Sequence, residues 1–237
     1  MQTTINIESY WDGAVPGKPF GYSDLGIAPS EYPAAAKKLE RLLRKGRIKR
    51  IRNGLFYVPK QTPFGELGPD DDALLETALF RRGQRIAYVT GTYLYNKWGL
   101  TTQIPDKIRI ASRERVISGS IGRLKLKPAK CYAEVTDENY PMLQLLDAIK
   151  DLPKIPDMDT DSGLKIIGDR LIELSGASIA MLKGLALSYP PRARAVTGAI
   201  LENIGQDADD LRASLNPLSA FSLGQLDLSN KTRWNIK

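Results

Sequence analysis

The chain has 237 residues and a net charge of +7, with no His and a single Cys. That length suits one large domain or two ordinary ones, and a hydrophobic content of 42% excludes wholesale disorder. His/Cys zinc sites, internal disulfides and Ser-His or Cys-His nucleophile pairs are excluded, so an enzyme here would have to run on carboxylates, Lys, Tyr or a bound metal.

No apolar run approaches the ~18 residues that a membrane span needs. The opening "MQTTINIESYWDG" lacks the basic-then-apolar order of a secretory signal, which makes a cytoplasmic location the expectation. Ile5, Ile7, Tyr10 and Trp11 in that stretch suit a short first helix. In "PFGYSDLGIAP", Ser23 is placed to cap a second short helix with Leu25 and Ile27 turned inward.

"YPAAAKKLERLLRKG" sets Ala35, Leu39, Leu42 and Leu43 on one helical stripe, with Lys37, Lys38, Arg41 and Lys45 on the other faces. Ser30 or Glu31 opens this segment, Pro33 suits a first helical turn, and Gly46 suits a helix end. "RIKRI" and "LFYVP" then flank Asn53-Gly54, the strongest short-range hairpin signal, with positive φ expected at both turn residues. Helix, short helix, longer basic helix and basic hairpin are the parts of a winged helix-turn-helix, whose second helix enters the DNA major groove.

The charge agrees with that order. From residue 37 to 60 there are ten basic residues and one acid, Glu40, so the rest of the chain holds slightly more acid than base. Such a concentration is the electrostatic footprint of a nucleic-acid binder, although a solvated charged face or a protein-adaptor winged helix would carry similar residues.

"PKQTPFGELGPDDD" is rich in Pro and Gly without periodicity, and is expected to link an N-terminal domain (1–62) to a larger one (70–237). Asp70, Asp71 and Asp72 suit a helix N-terminus better than a metal site, since adjacent side chains on a helix point apart. "AYVTGTYLYNKWGL" implies a strand, a turn and a helix ending at Gly99; "DKIRIAS" and "GRLKLKPAK" alternate as strands. "SGSIG" at 118–122 lacks the Lys-Ser/Thr of a phosphate loop and is expected to be a hairpin turn. Cys131, in "KPAKCYAEV", is expected as a small inert residue on a strand.

Residues 70–135 are therefore mixed α/β, and 140–237 mainly helical. "DMDTDSG" at 157–163 resembles the start of a calcium loop, but Ser162 and Gly168 stand where Gly and Glu are needed; an acidic linker capping the next helix fits better. Arg192 and Arg194, after "YPP", could contact a phosphate or a partner carboxylate, or serve in a surface or structural ion pair. The tail residues Leu218, Phe221, Leu226, Trp234 and Ile236 are too apolar for a free end and are expected to dock on the core.

The chain resembles the AbiEi-type antitoxins of bacterial abortive-infection toxin-antitoxin systems. "LERLLRKGRIKRIRNGLFYVP", "VTGTYLYNKWGLTTQIPDKIRIAS", "YPPRARAVTGAILENIG", "LNPLSAFSLG" and "RWNIK" carry the likeness in the family's order, "WGLTTQIP" most tellingly. The resemblance implies an α+β chain: an N-terminal winged helix and a larger C-terminal antitoxin domain. It implies repression of the chain's own operon at promoter repeats. It also implies antagonism of a nucleotidyltransferase-like toxin without a stable complex, with self-association on DNA allowed for.

By position the recognition helix is residues 34–45 and the wing 47–58. Lys37, Lys38, Arg41 and Lys45 from the helix, and Arg47, Lys49, Arg50, Arg52 and Asn53 from the wing, are then the DNA-facing residues. The Ala-rich "PAAAKK" departs from the larger or polar residues that family members often carry there. No catalytic residue, metal or cofactor is expected. The alternatives are a ligand-responsive transcription factor and, from a different class, a nucleic-acid enzyme working through Asp, Glu and a metal.

Overall fold

The computed structural model describes residues 14–222 and 228–237. The expected first helix around Ile5 and Trp11, and the tail position Leu226, lie outside the described residues. The architecture is α+β, 44% helix and 17% strand. It divides into a unit of residues 1–83 with 120–124, and a unit of residues 84–119 with 125–237.

In the first unit a short strand β1 (Pro19–Gly21), unannounced by the sequence, precedes a 3-10 turn at Tyr22–Leu25. The cap of that turn is not Ser23. Asp24 accepts a hydrogen bond from the Gly21 N–H at 2.6 Å, three residues back, which is the reciprocal half of a capping box. Helix α1 (Tyr32–Arg44) begins two residues before the expected 34, with Pro33 in its first turn. It ends where the Gly46 and Arg47 amides bond back to Leu43 and Leu42, both at 3.0 Å.

Strands β2 (Lys49–Arg52) and β3 (Leu55–Tyr57) follow, and the three strands form an antiparallel sheet in the order β1-β3-β2. A helix followed by such a hairpin, with an upstream strand completing the sheet, is the winged-helix arrangement. Its core is Phe20, Leu25, Ala35, Leu39, Ile48 and Phe56, with Ile27, Leu42 and Leu43 packed against it. The helical stripe of the sequence is therefore the buried face.

The Asn53-Gly54 turn differs from expectation. Only Gly54 has positive φ, at 73°; Asn53 does not. The pairing slips between Arg50 and Arg52, so that Arg52 opposes Leu55. This bulge adds local twist and removes the need for a left-handed Asn.

The stretch expected as a linker is ordered. β4 (Lys60–Thr62) and β5 (Gly65–Leu67) pair antiparallel around Pro63-Phe64, with Thr62 opposite Gly65. Its polar, Pro- and Gly-rich composition concealed a hairpin because the strands are three residues each, too short to show alternation. Helix α2 (Asp71–Leu79) is capped by Asp70, which accepts the Ala73 N–H at 2.8 Å. Asp71 pairs with Arg123 at 2.6 Å.

Short strands β6 (Phe80–Arg81) and β7 (Gln84–Arg85) precede a four-stranded sheet. That sheet has the order β10-β11-β9-β8, from β8 (Tyr88–Thr90), β9 (Ile108–Ala111), β10 (Gly119–Ile121) and β11 (Leu124–Ala129). β9 runs parallel to β11 and antiparallel to β8. "SGSIG" is thus mostly strand; the turn lies at Gly122-Arg123. Cys131 falls beyond the end of β11, in irregular chain, where its thiol bonds the Ala133 carbonyl at 3.1 Å.

Helix α3 (Thr92–Lys97) follows β8, as the sequence implies. The helical half comprises α4 (Tyr140–Asp151), α5 (Thr160–Ile172), α6 (Gly176–Ala186), α7 (Pro191–Asn203) and the short α8 (Asp209–Ala213). Asp159 caps α5 by accepting the Ser162 N–H at 2.9 Å, the capping role read from "DMDTDSG". Helix α4 is buried along most of its length and packs on β8, α6 and α7. The tail docks through Trp234 and Ile236, both buried, whereas Leu218 is 94% exposed.

Candidate nucleic-acid interface

Burying Ala35 and Leu39 of α1 turns Lys37, Arg41, Arg44 and Lys45 outward, with Lys38 half-buried beside them. This follows from helical geometry: residues one or two positions off the apolar stripe point away from it. On the hairpin, Arg47, Lys49, Arg50, Arg52 and Asn53 are all exposed. The nine residues expected to face DNA therefore belong to one compact unit, built on one helix and the strand pair that follows it.

Two of these positions make contacts that bear on their role. The Arg50 guanidinium lies over the Phe56 ring, 5.6 Å from its centre, so a core aromatic orients an exposed cation. Lys49 forms an ion pair with Glu66 of β5, and Gln61 on β4 donates to the same carboxylate at 3.0 Å. The hydrogen bond from Lys49 holds the Glu66 carboxyl below its usual pKa; the same bond raises that of Lys49. A lowered carboxylate pKa means that the tie is fully present above the ordinary carboxylate value and is lost as pH falls through the lowered one.

Sequence inspection missed Glu66 because it stands 17 positions beyond Lys49 on a strand with no periodic signal. Its pairing with Lys49 occupies one of the cations expected to meet phosphate. Replacing Glu66 with Gln is expected to free Lys49 and remove a repelling charge. Binding to any duplex should tighten, and the slope of log affinity against log salt should steepen by up to about 0.9, the value for one more neutralised phosphate.

Arg192 and Arg194 are placed differently from the DNA-facing set. Both sit on the first turns of α7 and are half-buried. Arg192 donates to the Lys150 carbonyl at 3.4 Å, and Arg194 to the Ser214 carbonyl at 3.0 Å. Each guanidinium thus satisfies a backbone acceptor inside the second unit.

The second unit contains a polar cluster that the sequence did not announce. Asp147 on α4 is fully buried. One carboxylate oxygen accepts from Thr90 at 2.8 Å and Tyr88 at 3.1 Å; the other accepts from Lys150 at 2.7 Å and Tyr189 at 3.3 Å. One turn on, Asp151 accepts from Tyr95 at 2.9 Å and lies 3.9 Å from Arg109. Tyr132 stacks on Tyr189 with ring centres 4.1 Å apart, and the Lys150 ammonium stands 5.3 Å from the Tyr132 ring.

Burial first, and the Asp147 charge second, push the Tyr88 and Tyr189 hydroxyls well above their ordinary range, so both stay protonated donors. Each donor has its acceptor, which describes a structural network more than a reactive one. Among the described residues, no group of three or more carboxylates or Cys stands close enough to hold a metal ion, and no helix is long and apolar enough to cross a membrane.

A family model described as a family of unknown function, DUF6088, matches residues 24–132. The match takes in α1, the wing, the second hairpin and the strands through β11. No curated protein matches the chain. Among solved structures, the RV2827C protein from Mycobacterium tuberculosis is similar, with a TM-score of 0.55 at 14% identity over 92% of this chain and 85% of that one. At that identity the likeness speaks for the fold alone.

Proposed function

We propose that this chain is a DNA-binding antitoxin and transcriptional autorepressor acting in the cytoplasm, as the AbiEi-type resemblance implies, and that it is not an enzyme. The observation that carries the DNA-binding half is the outward-facing basic helix α1 joined to a basic β2–β3 hairpin on a winged-helix frame. A helix of this diameter fits a major groove, and the hairpin beside it supplies phosphate contacts. The antitoxic half rests on the family likeness of the second unit's segments, with a nucleotidyltransferase-like toxin as the expected antagonist.

Binding titrations of the full chain against its own promoter region and a random duplex, across a salt series, test the proposal. Replacing Arg50 and Arg52 with Ala should weaken binding to both duplexes and flatten the salt slope by about 0.9 for each phosphate that is no longer neutralised. Replacing Lys37 or Lys38 should instead cost about 1–3 kcal/mol on the promoter alone, if either reads a guanine edge. In co-expression with the toxin encoded beside the gene, the Arg50/Arg52 variant should lose repression and keep growth rescue. Unchanged promoter affinity in both sets of variants would leave the basic segment a solvated face. Loss of rescue together with repression would remove the division into two functions.

A further inference from the structure

The β4–β5 hairpin has a tip that neither the winged-helix core nor the basic face explains. Phe64 is 101% exposed, as open as in an isolated peptide, and Pro63 beside it is exposed as well. Single exposed apolar residues are common on protein surfaces. This one is distinguished by how firmly its backbone is held. Thr62 pairs with Gly65 across a two-residue turn; its hydroxyl donates to the Gly65 carbonyl at 2.6 Å and accepts the Phe64 N–H at 3.3 Å. Pro63 fixes its own φ at the first turn position. The tip is a preformed apolar point that loses little conformational freedom on insertion.

The hairpin's surroundings decide what it would insert into. Its base carries Lys60, and its second strand is tied to the wing by the Lys49–Glu66 ion pair. Glu66, the one acid on the hairpin, is neutralised by that pairing. The tip is therefore tied to the hairpin that carries Arg47, Arg50 and Arg52, in the segment 37–60 where ten basic residues face one acid, a concentration that attracts a polyanion.

We propose that Pro63-Phe64 is a wedge that enters the minor groove of bound DNA and partly unstacks a base step, kinking the duplex. Apolar wedges of Phe and Pro are a known means of bending DNA, by about 20–90°. A flexible pyrimidine-purine step is the chemistry best suited to receive one, because such steps unstack most easily. This deepens the DNA-binding proposal above and rests on it.

The test uses the full-length protein and a roughly 30-bp duplex of its own promoter region, end-labelled with a donor and an acceptor fluorophore, beside anisotropy titrations of the same duplex. Wild-type protein should raise the transfer efficiency on binding. Phe64→Ala should bind within about ten-fold of wild type yet leave transfer near that of free DNA; Phe64→Leu, still an apolar wedge, should restore most of the bend. An equal bend with Phe64→Ala, or wild-type binding with no bend, would overturn the wedge while leaving DNA binding intact. Absence of binding by wild type would overturn the DNA-binding proposal itself. A concentration-dependent dimer in sedimentation that Phe64→Ala abolishes, with DNA bending unchanged, would reassign the tip to self-association.

Discussion

Replacing Asp147 with Ala is expected to destabilise the second unit by about 3–5 kcal/mol, the range for removing one partner of a buried ion pair. The loss comes from the groups left behind. Lys150, Tyr88, Thr90 and Tyr189 all donate to this carboxylate, and Asp147 is fully buried, so water cannot take its place without opening the core. Asp147→Asn should cost less, since one acceptor oxygen survives, but its amide N–H group would then face two donors. Urea unfolding followed by circular dichroism gives the measurement. A shift confined to one transition, with DNA affinity unchanged, would place the effect in the second unit; a shift under about 1 kcal/mol would mean that the network adds little.

Introducing a single methyl group at Gly198 should be comparably severe. A Cβ there would stand 2.1 Å from the Trp234 ring, closer than carbon atoms can approach. Trp234 is 1% exposed and donates its indole N–H to Glu202 at 2.8 Å, so moving it would break that bond and disturb buried packing. Gly198→Ala is therefore expected to displace Trp234 and undock the tail, at about 3–5 kcal/mol, the range for emptying a large aromatic site. Limited proteolysis should then cut the tail, between about residue 216 and the C-terminus, at enzyme concentrations that leave wild type intact. Trp234→Ala should give the same cleavage pattern. Resistance of the Gly198→Ala tail to proteolysis would show that helix α7 can shift to accommodate the added carbon.

The two substitutions differ in how visible their cause is from the sequence. The apolar tail at Trp234 and Ile236 signals docking by composition alone. That Trp234 closes on Gly198 does not, because the contact joins residues 36 positions apart through backbone geometry. Asp147 and Lys150 look like an ordinary solvated i,i+3 pair on a helix. Only the approach of β8, some 57 residues earlier, turns that pair into a buried network. Arg192 and Arg194 are similar: two cations at a helix start left a ligand contact and a structural role both open, and the Lys150 and Ser214 carbonyls that they meet come from distant segments.

By itself the sequence determined the features that depend on neighbours a few residues away. These are the apolar stripe of α1, the charges on its other faces, the Asn53-Gly54 hairpin, the Asp70 and Asp159 caps, and the alternating strands β9 and β11. Each is written in spacing of about 2.0 or 3.6 residues or in a side chain that bonds its own backbone. The three-residue strands β1, β4 and β5 were too short to carry such spacing. They exist because they pair, β1 against β3 and β4 against β5. Tertiary structure alone decided that Lys49 is held by Glu66, that Phe64 stands fully exposed on a fixed turn, and that Asp147 is buried with four donors. In each case the deciding partner or enclosure is supplied by a different element of the chain, and chain folding, rather than local periodicity, sets that proximity.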